Sequence, residues 1–354
     1  MQLSEFDFPF DASLIATEPV LPRDQARLLV LSPRQQSMTH GRIADLADLL
    51  SAGDLVVVND TRVRPARVTG RRASGGSVEV LFVKAVTERE WEVLMKGKWR
   101  AGQVIDVGTD SRLIVLRKEG GRTVVRIEST LPVMEWFEAH GKMPLPPYIK
   151  RPPIDADREW YQTVFAKDQG AIAAPTAGLH FTPGLLSRLT ERRIDLTKIT
   201  LHVGVGTFKP VTTEHIEDHR MEAEWVDVGP ETVQAIDRTK QRNGKVVAVG
   251  TTVVRALESA ASGAGTVRTY RGETGLFIAP GYRFQVVDAM LTNFHLPQTT
   301  LLMLVAAFAG TGFVRKAYEE AVRNRYRLYS YGDAMLVLDR EAPVDAARGV
   351  PAGR

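Results

Sequence analysis

The feature that most constrains the fold of this 354-residue chain is a change of sequence pattern near Arg62 that reverses near Arg151. Outside this segment, short apolar runs alternate with stretches of helical period, which predicts strands alternating with helices. Inside it, short runs rich in β-branched residues are separated by turn signals, which predicts an all-β module. The simplest architecture is an all-β, barrel-like domain of residues 62–151 inserted into an α/β domain of residues 1–61 and 152–354.

The inserted segment has a legible strand pattern. A hairpin turn is predicted at Gly120-Gly121, and the prolines of MPLPPYIKRPP, which ends the segment, predict a stiff connector. The predicted strands are residues 77–86, 91–95, 103–107, 113–117 and 123–127.

Charge is distributed unevenly between the two parts. Residues 62–151 contain 18 Lys and Arg against 10 Asp and Glu, a net charge of +8, whereas the remainder carries −4. This asymmetry favours a polyanionic partner such as nucleic acid, whose phosphates dominate affinity. A solvated, arginine-rich surface is the alternative.

Composition excludes several classes of site. The chain has no cysteine, which rules out disulfides, thiolate metal sites, iron–sulfur clusters and a cysteine nucleophile. A hydrophobic content of 44% with 25% charged residues is typical of a globular domain. The first residues, MQLSEFDFPFDASL, lack the basic start and apolar run of a signal peptide, and no apolar run is long enough to span a membrane, so we expect a cytoplasmic protein.

Polar and small residues follow the predicted buried strands at residues 55–58, 198–203, 245–249 and 284–291. Ligands of α/β sheets bind beyond the carboxyl ends of strands, so these corners predict a pocket with several groups that titrate near neutrality. Ordinary turns are the alternative for residues 59–62. The corner residues are Asn59, Asp60, Thr61, Arg62, Thr176, Gly178, His180, His202, Gly204, Gly206, Thr207, Gly250, Thr251, Thr252, Arg255, Asn293, His295, Ser330, Tyr331, Gly332 and Asp333.

The stretch of residues 170–211 contains two of these corners on either side of a predicted helix. Thr182 is suited to cap this helix and Pro183 to occupy its first position. An apolar stripe follows at helical spacing, formed by Leu185, Leu186 and Leu189.

The histidines allow three interpretations. A metal site requires two or three of His180, His202, His215, His219 and His295 to converge with a carboxylate, but HExxH is absent and the context of His215 and His219 favours a solvated acidic helix. A serine hydrolase is disfavoured because there is no GxSxG motif. His40 and His140 are interpreted as structural. Dinucleotide binding is also weakly supported, since Gly204-Val205-Gly206 lacks a third glycine and a following helix.

Seven motifs resemble those of the S-adenosylmethionine:tRNA ribosyltransferase-isomerases of queuosine biosynthesis, in the same order over residues 6–338. The resemblance implies a large α/β barrel-like domain with an inserted small β-barrel. It also implies transfer and isomerisation of the ribosyl group of S-adenosylmethionine onto an aminomethyl-deazaguanine at the tRNA wobble position, with release of adenine and methionine. The motifs are GDLVVVNDTRVRPAR, MPLPPYIKR, GAIAAPTAGLHFT, ITLHVGVGTFKPV, GTTVVRALES, FIAPGYRFQVVDAMLTNFHLPQTTLLMLV and YSYGDAML.

The resemblance implies S-adenosylmethionine as cosubstrate, no metal or other cofactor, the tRNA anticodon region as partner, and a monomer. We expect His180, then His202 or His295, as the general base. Asp60 and Asp333 are candidates for the methionine ammonium or the ribose, and Arg62 or Arg255 for the carboxylate. Asn293 and Thr207 are candidates for the base edge or ribose, and the other corner residues and Glu224 complete the expected substrate site.

The chain departs from the family pattern after His219, where Glu222 replaces a second histidine and leaves any histidine pair in doubt. Gln298 stands where a lysine is common. The alternatives from other classes are a metal-dependent hydrolase that uses the histidines and a non-catalytic tRNA-binding protein.

Overall fold

The computed structural model describes residues 1–8, 11–119, 122–208 and 211–338. The predicted turn at Gly120-Gly121 and the polar tail from residue 339 lie outside these residues. The first elements in chain order are β1 (Arg27–Ser32), β2 (Ser37–Arg42), α1 (Leu46–Leu49), β3 (Leu55–Asn59) and β4 (Thr61–Val63).

The basic segment forms a closed antiparallel barrel. Its six strands pair in the order β5-β6-β7-β10-β9-β8, and β8 pairs with β5 to close the barrel. The short strand β11 also pairs with β5. The elements are β5 (Arg67–Arg72), β6 (Ser77–Ala85), β7 (Glu90–Met95), β8 (Val104–Val107), β9 (Ser111–Glu119), β10 (Arg122–Glu128), α2 (Val133–His140) and β11 (Gly141–Lys142).

The barrel interior is filled by alternating side chains and by α2. On β6, buried and exposed residues alternate as expected of a strand with one face on a core. Phe137 of α2 lies edge to face against Phe82 and Trp91, with ring centroids 5.0 and 5.2 Å apart, and Trp136 is fully buried beside them. The aromatic cluster gives the barrel a core of its own.

The remaining chain returns to the α/β pattern. Its elements are α3 (Asp157–Trp160), β12 (Asp168–Ala171), α4 (Pro183–Glu191), β13 (Asp195–Leu201), β14 (Glu224–Val228), α5 (Pro230–Gln241), β15 (Val246–Val249), α6 (Thr251–Ala260), β16 (Ala261–Gly263), β17 (Thr266–Val267), β18 (Tyr270–Thr274), β19 (Ala289–Asn293), α7 (Thr300–Ala309), α8 (Thr311–Arg323) and β20 (Ala334–Leu338).

These elements build a nine-stranded sheet in the order β18-β14-β13-β3-β15-β19-β20-β1-β2. The neighbours β13, β3, β15 and β19 run parallel, and β20 is antiparallel to β19. Strands β3, β15, β19 and β20 are buried along their whole length, with an apolar cluster on each face of the sheet. Because both faces of these strands are buried, their sequences are continuous apolar runs.

A short parallel pair connects the two parts. β4 leaves the end of β3 towards the barrel, and β12 pairs beside it on the way back, with a bulge at Gly170. The pairing brings Arg64, just after β4, close to the return strand, since its amide donates to the carbonyl of Ala171.

The mixed α/β class and the small β-barrel are confirmed. Among the described residues no ladder joins β18 to β2, so the large sheet is open, and the barrel-like closure expected of the large domain is not found. β2 is largely exposed, as expected of a free edge strand. The domain boundaries at 61/62 and 151/152 stay a prediction, although the strands of the barrel all fall between Arg67 and Lys142.

Several local predictions are confirmed. Thr182 caps α4 by accepting from the amide of Leu185, and Pro183 is its first residue. The acidic helix expected around His215 and His219 is wrong, because only a 3-10 turn, Ile216–Asp218, forms between them. None of the described helices is by itself both long and apolar enough to cross a membrane; α7 and α8 reach the length together but meet at a bend of 112°.

Candidate functional site

The predicted corners lie along one edge of the large sheet. Because β13, β3, β15 and β19 are parallel, their carboxyl ends share an edge, and the antiparallel β20 begins there. The edge therefore presents, in order, His202, Asn59, Gly250, Asn293 and Asp333. Neighbouring strands are about 4.8 Å apart, so His202 and Asn293 are separated by roughly 14 Å, too far to act on one atom.

An open cleft of ≈ 560 Å³ lies between the barrel and the His202 end of this edge. We call it the His202 cleft. Barrel residues form one wall and the ends of β12, β13 and β14 form the other. Its lining residues are Arg64, Val83, Lys84, Ala85, Arg122, Gln169, Gly170, Ile172, His202, Val203, Gly204, Val205, Glu222, Ala223, Glu224, Trp225 and Glu273.

The imidazole of His202 is held on both faces and at one nitrogen. Its ring stacks on Trp225 with centroids 5.1 Å apart and planes inclined by 17°. The backbone of Gly170 packs against the ring, so closely that a Cβ there would lie 2.5 Å from three ring atoms. Nδ1 lies 2.8 Å from the hydroxyl of Thr61, and Nε2 has no hydrogen-bond partner among the described residues.

Burial lowers the pKa of His202, and the positive charge of Arg64 lowers it further. Asp168 and Asp60 oppose this shift but do not outweigh it. The ring is therefore neutral at pH 7 and can accept a proton.

A much smaller pocket of ≈ 30 Å³ lies at the other end of the edge. We call it the Asn293 pocket. Inside it, Thr176 donates to the Asn293 carbonyl oxygen over 2.8 Å, and the hydroxyls of Tyr148 and Ser330 lie 2.6 Å apart. Its lining residues are Tyr148, Thr176, Asn293, Phe294, His295, Leu296, Thr299, Leu301, Tyr329 and Ser330.

His180 is buried, and both of its ring nitrogens face backbone carbonyls. Nδ1 lies 3.2 Å from the carbonyl oxygen of Ala177, and Nε2 lies 2.9 Å from that of Gly332. Burial lowers its pKa. This geometry disfavours His180 as the general base, because neither nitrogen is directed at a pocket; the ring instead ties the 3-10 turn Thr176–His180 to the turn before β20.

His295 reaches the Asn293 pocket but is also engaged. Its Nε2 lies 2.8 Å from the Thr292 hydroxyl, and its amide donates to Tyr318. Burial lowers the pKa of His295 to about 3. The three expected histidines thus share an edge without converging.

Several predicted substrate residues are occupied by structural contacts. Asn59 accepts from the amides of Thr61 and Leu201. Asp60 accepts from Thr200 over 2.6 Å and pairs with Lys198 at 3.2 Å. The carboxylate of Asp333 accepts from two backbone amides, those of residues 27 and 327. These contacts fix the three side chains at the edge, and their binding of substrate stays a prediction.

Glu224 and Arg255 form a buried ion pair beneath the His202 cleft. The other oxygen of Glu224 accepts from the amide of Gly204 over 2.9 Å, which fixes the turn after His202. Arg255 also donates to the carbonyl of Leu276, so its guanidinium is not available for a substrate carboxylate.

The remaining predicted residues are scattered. Arg62 is exposed on β4, Tyr331 donates to Asp157 over 2.9 Å, and the side chain of Thr207 lies outside the described residues. Gly178 packs against Phe165 and Thr163, and Gly332 against the backbone of residues 327–328. Gly250, Thr251 and Thr252 form the start of α6, where Asn59 donates to the Thr252 hydroxyl over 3.4 Å.

A second open cleft of ≈ 470 Å³ continues from the His202 cleft, with which it shares Gly204 and residues 222–224. Gly206 and His219 line it, and His219 lies against Phe277 with ring centroids 5.4 Å apart. The departure noted at Glu222 therefore falls at the junction of the two clefts, where the Glu222 carboxylate meets Arg122 at 3.4 Å.

The described residues contain no group of three His, Cys, Asp or Glu side chains placed to hold a metal ion. The convergence that the hydrolase alternative requires of its histidines is therefore missing from the described part of the chain.

Four residues of the two pockets were not predicted from the sequence. Arg64, Gly170 and Trp225 line the His202 cleft, and Tyr148 lines the Asn293 pocket. Arg64 lies within the motif NDTRVRPAR and Tyr148 within PLPPYIKR, so the motifs contained both. Gly170 is the first residue of the motif GAIAAPTAGLHFT, whereas Trp225 lies outside the motifs and is brought to His202 by the pairing of β13 with β14.

Comparison with known proteins gives a consistent result. A family described as "Queuosine biosynthesis protein" matches residues 3–337. Proteins named S-adenosylmethionine:tRNA ribosyltransferase-isomerase are similar over nearly the whole chain: that of Xanthomonas oryzae pv. oryzae is 47% identical over 96% of this chain and 98% of its own length. That of Pelobacter propionicus is 49% identical over 95% and 100%, and that of Aquifex aeolicus 48% over 96% and 100%.

One solved structure is also similar. The crystal structure of S-adenosylmethionine tRNA ribosyltransferase from Thermotoga maritima is 36% identical, covers 95% of this chain and 100% of its own, and has a TM-score of 0.55.

Proposed function

The chain belongs to the queuosine biosynthesis protein family, and on this premise we propose that it is an S-adenosylmethionine:tRNA ribosyltransferase-isomerase. The observation that carries the proposal is the full-length similarity, at 47–49% identity, to proteins of that name. The reaction moves the ribosyl part of S-adenosylmethionine to the aminomethyl group of a deazaguanine at the tRNA wobble position. Rearrangement gives epoxyqueuosine, and adenine and methionine leave.

The cosubstrate supplies its own activation. Its sulfonium acidifies the adjacent ribose carbon, so a base within hydrogen-bond reach removes a proton and adenine departs. The substrate amine then adds to the sugar, and methionine leaves as the epoxide closes. The protein must therefore supply one neutral base, a site for each substrate and shelter from water.

We assign the role of base to His202 in place of His180. Thr61 orients one ring nitrogen, Nε2 has no described partner, and the ring borders an open cleft. Its lowered pKa keeps it unprotonated at neutral pH. Of the other two candidates, His180 has both ring nitrogens against carbonyl oxygens, and burial lowers the pKa of His295 to about 3, which makes it a weak base.

We propose that the two substrates meet in the His202 cleft, where the base must reach the ribose of S-adenosylmethionine. The His202 cleft is bounded by the basic barrel, which suits the phosphates of an anticodon loop, and its volume suits an extruded nucleobase. The Asn293 pocket, with ≈ 30 Å³ of space, offers hydroxyls and an amide that suit a single polar group of S-adenosylmethionine such as a ribose hydroxyl. We also propose the division into domains 1–61 with 152–354 and 62–151, a cytoplasmic location, and action as a monomer.

The test is mass spectrometry of tRNA that carries the aminomethyl-deazaguanine, incubated with the protein and S-adenosylmethionine, with adenine quantified by chromatography. We expect a mass gain of one ribosyl-derived group and one adenine per modified tRNA. Salt-sensitive tRNA binding without adenine release would indicate a non-catalytic tRNA-binding protein. Loss of turnover on chelation, restored by zinc or iron, would favour metal-dependent chemistry.

A further inference from the structure

Arg64 is a cation without a counter-ion at the wall of the His202 cleft. Its guanidinium lies over the ring of Trp91 at 4.6 Å and over that of Phe137 at 5.7 Å. Its Nε is buried without a hydrogen-bond partner, and the described residues offer its side chain neither a hydrogen bond nor an ion pair.

The other charged residues that line the cleft are paired. Lys84 pairs with Glu273 at 3.5 Å, Arg122 with Glu222 at 3.4 Å, and Glu224 with Arg255. Each of the first two pairs joins a barrel strand to the opposite wall. Within the described lining, Arg64 alone lacks an opposite charge.

An unpaired guanidinium in this position is costly. Burial lowers the pKa of Arg64 to about 10, and its charge also disfavours protonation of His202. An unsatisfied buried donor destabilises a fold unless a ligand completes it. The ring of Trp91 gives the guanidinium a cation–π contact but no hydrogen-bond acceptor, so its N–H donors remain for a planar or tetrahedral oxyanion.

We propose that Arg64 is the receptor for a substrate oxyanion in the His202 cleft, and this inference rests on the proposed function. That function supplies two sources of the same chemistry. One is a phosphodiester beside the extruded nucleotide, and the other is the carboxylate of the methionine part of S-adenosylmethionine. Both accept paired N–H donors from a guanidinium fork, which Lys cannot offer.

The experiment compares the wild type with Arg64→Gln, Arg64→Lys and Arg238→Gln. The last variant removes the same charge from an exposed position on α5, outside both pockets. Calorimetry measures the affinity for S-adenosylmethionine and for decarboxylated S-adenosylmethionine. Anisotropy measures binding of an anticodon stem-loop RNA that carries the aminomethyl-deazaguanine, over a range of salt.

If the carboxylate is the ligand, Arg64→Gln weakens S-adenosylmethionine binding by about 10- to 100-fold and leaves the decarboxylated analogue unchanged. If a phosphate is the ligand, the variant weakens RNA binding similarly and reduces the salt slope by about 0.7 to 0.9. Arg64→Lys keeps the charge but loses the paired N–H donors of the guanidinium. We therefore expect it to weaken the affinity for the same ligand, but by less than Arg64→Gln does.

Unchanged affinities in all arms, in a variant with wild-type melting behaviour, would overturn the inference. Should Arg64→Gln not fold, Arg64→Lys decides by the same criteria. Wild-type adenine release, measured separately, tells failure of this inference from failure of the proposed function.

Discussion

Replacement of Gly170 by alanine tests whether the position of the His202 ring matters. A Cβ at Gly170 would lie 2.5 Å from Cδ2, Cε1 and Nε2 of His202. Ordinary carbon contacts lie at about 3.5–4.0 Å, so the ring must move by about 1 Å or more. It cannot retreat freely, because Trp225 stacks nearly parallel to it at 5.1 Å.

The size of the effect follows from this displacement. A misplacement of about 1 Å in a catalytic group costs on the order of 100-fold in rate, or about 2.7 kcal/mol in activation free energy. Overpacking should also lower the free energy of unfolding by about 1–3 kcal/mol. We therefore expect Gly170→Ala to fold, to bind tRNA and to release adenine about 100-fold more slowly.

The assay is single-turnover adenine release at saturating substrates, with unfolding followed by circular dichroism. Gly312→Ala is the matched control, because a Cβ there meets nothing within 4 Å and the residue lies in α8, away from both pockets. Wild-type rates in a folded Gly170→Ala would refute the argument that His202 acts from its observed position.

Three further perturbations probe the titrating groups. Because burial and Arg64 lower the pKa of His202, kcat/KM should fall only below pH 6.5, and Arg64→Gln should move this acid limb to higher pH; an unmoved limb would count against His202 as the base. His180→Gln should lower the free energy of unfolding by about 1–3 kcal/mol by disrupting the hydrogen bond of the buried ring to a backbone carbonyl, whereas unchanged stability with abolished adenine release would restore His180 as the base. His295 has a folded pKa of about 3 against 6.5 unfolded, so its contribution to stability is complete above pH 6.5 and is lost as the pH falls towards 3; urea midpoints of His295→Gln should decline less over that range than those of the wild type, and equal declines would contradict this.

Local patterns in the chain predicted five of the barrel strands and the corners at the edge, although β5 was not predicted and the run at residues 284–291 forms a strand only from Ala289. The β-branched runs of the basic segment became the barrel strands within a few residues, because alternation and turn chemistry act over short distances. The cap at Thr182 was also correct. Motif order identified the family, and strand polarity placed the corners together.

Local sequence patterns did not predict which individual side chains face a pocket and which form structural contacts. A histidine at a corner can face a pocket or a pair of carbonyls, and residue type is the same in both cases; His180 and His202 differ only in what lies across from them. The sequence predicts Asp60 as a site residue, and the structure shows that it contacts Thr200 and Lys198 of the neighbouring strand.

The closure of β8 onto β5, the open edge of the large sheet and the isolation of Arg64 all depend on contacts between residues far apart in the chain. Periodicity and composition describe single turns, strands and helices. They therefore indicate which side chains lie at the ends of strands and could meet. Which of them are satisfied by the protein itself, and which are left for a ligand, is settled by long-range packing, since burial and pairing are properties of the assembled chain.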